Sequence, residues 1–189
     1  FQLHPIPKEP IPFHTIHVDL TGNLSGGSRI PDFYIFFVDA FTKYVFLYHC
    51  NTATAAVTVR ALQELVSIFG VPKRLIFDRA ANFTSQTFTD YCNQQDIELH
   101  AIATSESQAN GQVERVMASI TAIITISQYQ KPQSIKSLRP KIQLILNSTT
   151  NRITGRSPLE LLMGVPVHIP GAQRIGEKIT PPSRLNLDE

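Results

Sequence analysis

Apolar and polar positions alternate along Thr15–Leu20: Ile16, Val18 and Leu20 share one side, His17 and Asp19 the other. That is the period-two pattern of a half-buried strand. Phe33 to Val38 is almost wholly apolar, as a central strand covered on both faces is, and Tyr44 to His49 supplies a third β-rich run. Short turns join the three, so they read as an antiparallel meander. The period then lengthens. Ala56, Val59, Leu62, Leu65, Val66 and Phe69 recur at helical spacing, with Thr52 as N-cap and Gly70 and Pro72 as the stop. Arg74–Phe77 predicts a short strand ending on Asp78. Thr84 or Ser85 caps a helix through Cys92, and Ile97–His100 predicts a fifth strand. Ala101–Ala109, rich in Ala, Ser and Gln, reads as a mobile loop. From about Asn110 to Ser127, Val113, Val116, Met117, Ile120 and Ile124 form the core stripe of a long helix, followed by a break at Gln128–Gln133. A further helix covers Leu138–Asn147, where Pro140 is tolerable only in the first turn. The last helix starts at Ser157-Pro158 and stops at Met163, before Gly164 and Pro166. This order, β-β-β-α-β-α-β-α-α-α, predicts a mixed α/β fold with a central five-stranded sheet.

A chain of 189 residues, 42% hydrophobic, can bury one full core. Residues 1–13 hold Pro5, Pro7, Pro10 and Pro12 and read as an extended linker, 14–164 as the packed domain, and 165–189 as a proline-containing tail. The Phe1 start, without Met, suggests a piece of something longer. No apolar run is long enough to span a bilayer, so no membrane partner is expected. Cys50 and Cys92 sit inside apolar segments and read as buried thiols; with the six histidines they form no zinc cluster. Asn-x-Ser/Thr triplets at Asn23, Asn82 and Asn147 are common by chance. Residues 1–126 carry eight Lys/Arg against eleven Asp/Glu, and 127–189 nine against four. An acidic front half and a basic back half suit a polyanion-binding protein that also holds cations, and suit equally an ordinary two-sided surface.

Three acids stand out. Asp19 lies inside a strand, where acids are poor residues, Asp78 ends another, and Glu114 lies at the edge of the long helix's apolar stripe. If the first and fourth strands are neighbours, Asp19 and Asp78 converge and Glu114 could reach them. Clustered carboxylates repel unless protonated or bridged by a hard cation, and oxygen-only ligands favour Mg²⁺ or Mn²⁺.

Short motifs carry a sharper reading. They are Leu3-His4-Pro5-Ile6-Pro7, His17-Val18-Asp19-Leu20-Thr21-Gly22, Val38-Asp39-Ala40-Phe41-Thr42-Lys43-Tyr44, Asp78-Arg79-Ala80-Ala81-Asn82-Phe83, Asn110-Gly111-Gln112-Val113-Glu114-Arg115 and Ser157-Pro158-Leu159-Glu160-Leu161-Leu162-Met163-Gly164. In this order, over residues 3–164, the set resembles the catalytic core of retroviral and gypsy-type LTR-retrotransposon integrases. The 35 residues between Asp78 and Glu114 match the family's spacing.

The resemblance implies a ribonuclease-H-like fold and two Mg²⁺ (or Mn²⁺) ions held by Asp19, Asp78 and Glu114. It implies metal-dependent trimming of the element's DNA 3′-ends and their transfer into target DNA. Implied partners are double-stranded DNA, a second copy of the chain in a homodimer or higher oligomer, and a host chromatin-tethering protein. The implied setting is the nucleus, reached through cytoplasmic virus-like particles, with residues 1–13 as the linker from a zinc region. Asp39 is implied to be a turn residue and no ligand. Asn110, Gln112 and Arg115 beside Glu114 could contact DNA, and Lys136, Arg139 and Lys141 could meet phosphates; capping and solvation account for them equally well. Against the family pattern, Ala80 stands in place of a glycine, Phe77 of a serine, and Ala118 of a frequent Asn. Glu106 and Ser107 stand where an aromatic or His precedes proline. Ala80 would be strained if its position needs a positive φ. The alternative function is an integrase-derived scaffold that binds protein or DNA without catalysis.

Overall fold

The computed structural model describes residues 9–25, 29–78, 80–102, 107–130, 133–152 and 154–167, with side chains for all of these except 107–110, 112 and 130. Five strands, β1 (Thr15–Leu20), β2 (Phe33–Asp39), β3 (Val45–Cys50), β4 (Arg74–Phe77) and β5 (Glu98–Ala101), form one sheet in the order β3-β2-β1-β4-β5. β1, β2 and β3 pair antiparallel, while β4 runs parallel to β1 and β5 parallel to β4. Helix α1 (Ala55–Phe69) follows β3, and the short α2 (Ala81–Thr84) and α3 (Gln86–Gln94) follow β4. After β5 come α4 (Ser107–Gln130), α5 (Ile135–Ser148) and α6 (Pro158–Met163).

Strand periodicity of two sorts the core into two layers. Ile16, Val18, Ile35, Phe37, Leu75 and Phe77 pack against Leu62 and Leu65 of α1, Phe83 of α2 and Phe88 of α3. Tyr34, Phe36, Val38, Val45 and Leu47 pack on the opposite face against Ile120 and Ile124 of α4 and Leu138 and Ile142 of α5. Cys50 and Cys92 are buried free thiols, and burial pushes Cys92 up to about 12, so it stays protonated at neutral pH.

Several expectations need correction. The N-cap of α1 is Thr54, whose side chain accepts from Val57 N–H; Thr52 lies two residues too early to reach it. The end of the expected loop, from Ser107, is already helical, and α4 runs on to Gln130. Ser134, accepting from Ser137 N–H, starts α5 a turn earlier than expected, so Pro140 lies inside the helix. Its missing N–H leaves the Lys136 carbonyl without an intrahelical partner, and both residues are exposed, so water can serve. Within the proline-rich lead-in, Phe13 is not linker but core. It is buried, stacks on Phe69 with ring centroids 4.0 Å apart, and takes a positive φ of 57°. The buried Asp39 carboxylate holds it there, accepting from Phe13 N–H (2.8 Å), Thr42 N–H (2.8 Å) and Thr42 Oγ1–H (2.6 Å).

The β3 edge is closed by side chains. Asn147 of α5 accepts from Val45 N–H (2.7 Å) and donates to Val45 C=O (2.8 Å), as a neighbouring strand would. One turn earlier, Gln143 accepts from Leu47 N–H (2.8 Å).

Candidate metal and nucleic-acid site

The site starts from the parallel pairing of β1 and β4, in which Thr15 lies level with Arg74, Ile16 with Leu75 and His17 with Ile76. Carried two residues past that last pair, the same step sets Asp19 beside Asp78, just beyond the end of β4, and the Asp78 charge acts on Asp19. Asp19 shares its face with Phe36 of β2, the face covered by α4 and α5. Backbone amides orient both acids. Leu20 N–H donates to Asp19 Oδ1 at 2.7 Å, and Ala80 N–H to Asp78 Oδ1 at 3.1 Å. Burial raises Asp19 from the ordinary 3.8 to about 6; the Leu20 N–H opposes the rise and the Asp78 charge adds to it.

Glu114 is not brought to this pair. It lies exposed on the third turn of α4, and among the described residues no group of three His, Cys, Asp or Glu side chains could hold one metal ion. On an exposed helix turn, water solvates the Glu114 carboxylate.

Arg115 is exposed on α4, and Lys136 on the first turn of α5. Lys141 is exposed and lies 3.4 Å from Ser127 Oγ of α4. Arg139 is already engaged, its Nη2 lying 3.2 Å from Glu64 Oε1 of α1. The side chains of Asn110 and Gln112 lie outside the described residues, as does all of Glu106. Ala80 has φ −63° and ψ 145°, so alanine is unstrained there. Phe77 is absorbed by a ring cluster, 5.8 Å from Phe83 and 6.1 Å from Phe88. Leu20 and Ala80 act on the acids through backbone N–H groups, which leave no trace in residue type. Sequence reasoning missed the role of Asn82, whose Nδ2 donates to Thr58 Oγ1 at 3.2 Å.

A mixed five-stranded sheet flanked by helices in this order has solved counterparts. The catalytic core domain of HTLV-2 integrase in complex with magnesium, in its trimeric form, superposes with a TM-score of 0.68 at 20% identity, over 80% of this chain and 97% of that one. The simian T-cell lymphotropic virus intasome in complex with the PP2A regulatory subunit B56 gamma gives 0.76 at 17% identity, over 93% and 63%. These likenesses define the class as the ribonuclease-H-like fold of retroviral integrase cores.

The chain belongs to the integrase core domain family, which it matches over residues 9–107. It is 32% identical to the Pro-Pol polyprotein of Simian foamy virus type 3, over 88% of this chain and 14% of that protein. It is 26% identical to the Transposon Tf2-3 polyprotein of Schizosaccharomyces pombe, over 85% and 12%. The chain thus spans only a small part of the length of these relatives.

Proposed function

We propose that this chain is the catalytic core of an element integrase, a metal-dependent polynucleotidyl transferase that trims DNA 3′-ends and joins them to target DNA. The observation that carries the proposal is the closeness of Asp19, on β1, to Asp78, just past the end of the parallel neighbour β4, in a member of the integrase core domain family. The donor set fits a hard divalent cation. It is oxygen only, and the proton affinity that burial and the Asp78 charge give Asp19 is what a bound cation would offset. When bound, Mg²⁺ or Mn²⁺ supplies Lewis acidity, lowering the pKa of an attacking water or 3′-hydroxyl and stabilising the charge that develops on the departing 3′-oxygen.

The chain's own residues do the rest. Asp19 and Asp78 hold the cation with carboxylates oriented by Leu20 N–H and Ala80 N–H. Glu114, from α4, would be the third carboxylate to hold the cation. Arg115, Lys136 and Lys141 present positive charge to the DNA backbone, and Arg139 does so on release from Glu64. The HTLV-2 core was solved in complex with magnesium, and the simian intasome in complex with the PP2A regulatory subunit B56 gamma. For this chain, assembly as a homodimer, action in the nucleus and tethering by a chromatin protein are part of the same proposal.

The exposure of Glu114 away from the pair favours a second reading, a scaffold that binds protein or DNA without chemistry. Strand transfer of a labelled oligonucleotide in Mg²⁺, with Glu114→Gln and Asp78→Asn as controls, separates the two. Catalysis predicts joined product that both substitutions abolish. Product that survives Glu114→Gln sinks the three-acid assignment, and no product alongside tight DNA binding establishes the scaffold.

A further inference from the structure

The support of the Asp78 carboxylate can be followed inward. Ala80, whose N–H orients Asp78, is the N-cap residue of α2, and its carbonyl accepts from Phe83 N–H (3.1 Å) and Thr84 N–H (3.2 Å). A helix of four residues does not hold itself together, so its orientation comes from what it docks on. Phe83 is fully buried between Phe77 and Phe88 and supplies apolar attachment. A ring in an apolar pocket leaves rotation of the helix weakly defined; a directional hydrogen bond defines it. That bond is Asn82 Nδ2–H to Thr58 Oγ1, and the Thr58 hydroxyl in turn donates to the Thr54 carbonyl at 3.1 Å. Thr58 is fully buried on the first turn of α1, which packs on the sheet face opposite the one that carries Asp19.

We infer that Thr58 is a positioning residue for Asp78: through Asn82 it sets the rotation of α2, and so the direction of the Ala80 N–H that orients the carboxylate. The inference rests on the proposed cation-holding role of Asp19 and Asp78.

Two readouts test it, neither of them catalysis. One is hydrogen exchange of the Ala80 amide in the metal-free chain. The other is Mn²⁺ affinity from paramagnetic relaxation. Thr58→Val removes the hydroxyl at constant volume, Thr58→Ser keeps it, and Asn82→Ala breaks the same bond from a half-buried position. Thr58→Val and Asn82→Ala are expected to speed Ala80 exchange without changing Leu20, and to weaken Mn²⁺ binding on the order of 10-fold, the low end for losing the outer support of a metal ligand. Thr58→Ser restores both. Unchanged Ala80 protection and Mn²⁺ affinity in Asn82→Ala overturn the inference, even if Thr58→Val fails to fold. Thr58→Ser behaving like Thr58→Val also overturns it, because packing rather than the hydroxyl would then matter. Asp78→Asn binding Mn²⁺ as tightly as wild type overturns the underlying metal reading instead, while Ala80 exchange still decides the Thr58 link.

Discussion

Asp19→Asn should make the metal-free chain more stable at neutral pH. Asparagine is nearly isosteric, and its Oδ1 can still accept from Leu20 N–H, so the main thing lost is a half-buried charge facing Asp78. Folding raises Asp19 from 3.8 to about 6. Between those values the folded state holds a proton that the unfolded state has released, so wild-type stability falls as pH rises through this window and the penalty is complete above about 7. The gap corresponds to ~3 kcal/mol at ~1.4 kcal/mol per unit. Partial solvent access screens the charge and reduces this to ~1–2 kcal/mol. For a domain of this size that is roughly 2–8 °C in Tm. The assay is thermal or urea unfolding in EDTA at a series of pH values from 4 to 8. The difference between variant and wild type should be near zero at pH 4 and open between 4 and 7. Saturating Mg²⁺ should reverse the order, because only wild type keeps both ligands. A difference that stays flat with pH, or a variant less stable than wild type at pH 7.5 in EDTA, would refute the reasoning.

Two further substitutions probe the frame. Asn147→Leu leaves the N–H and C=O of Val45 without their α5 partner; at ~1–3 kcal/mol for each unsatisfied buried group, urea unfolding should show a loss of at least ~2 kcal/mol, and a loss below 1 would mean that water replaces the amide. Ala80 has no strain for a glycine to relieve, so for Ala80→Gly a thermal melt should show a small loss of stability, up to ~1 kcal/mol, and a gain would contradict the negative φ.

The bounds of β1 and β4 were legible because short apolar runs with sharp polar ends leave little choice, and period two placed Asp19 opposite Ile16. The same period set the two core layers. Contacts distant in sequence were not legible. Phe13 is surrounded by prolines that argue for linker, and the carboxylate that anchors it lies 26 residues away. Asn147 reads as a chance glycosylation triplet until β3 is beside it. Thr58 is a polar interruption of a helical stripe, and only the docked α2 gives its hydroxyl a purpose. The 35-residue spacing from Asp78 to Glu114 is part of the resemblance to integrases, but spacing does not say where a side chain on an exposed turn points.

The in-step pairing of β1 and β4 bears on which length changes the domain can absorb. Thr15 and Arg74 are partners, and each is followed four residues later by its acid. One residue inserted into either step would turn that acid through the sheet into the layer occupied by Phe37 and Leu62, whatever residue was added. Among natural or designed variants, these two four-residue intervals should therefore accept apolar-for-apolar exchanges at their buried positions while rejecting insertions and deletions. The surface turn before β2 should accept both.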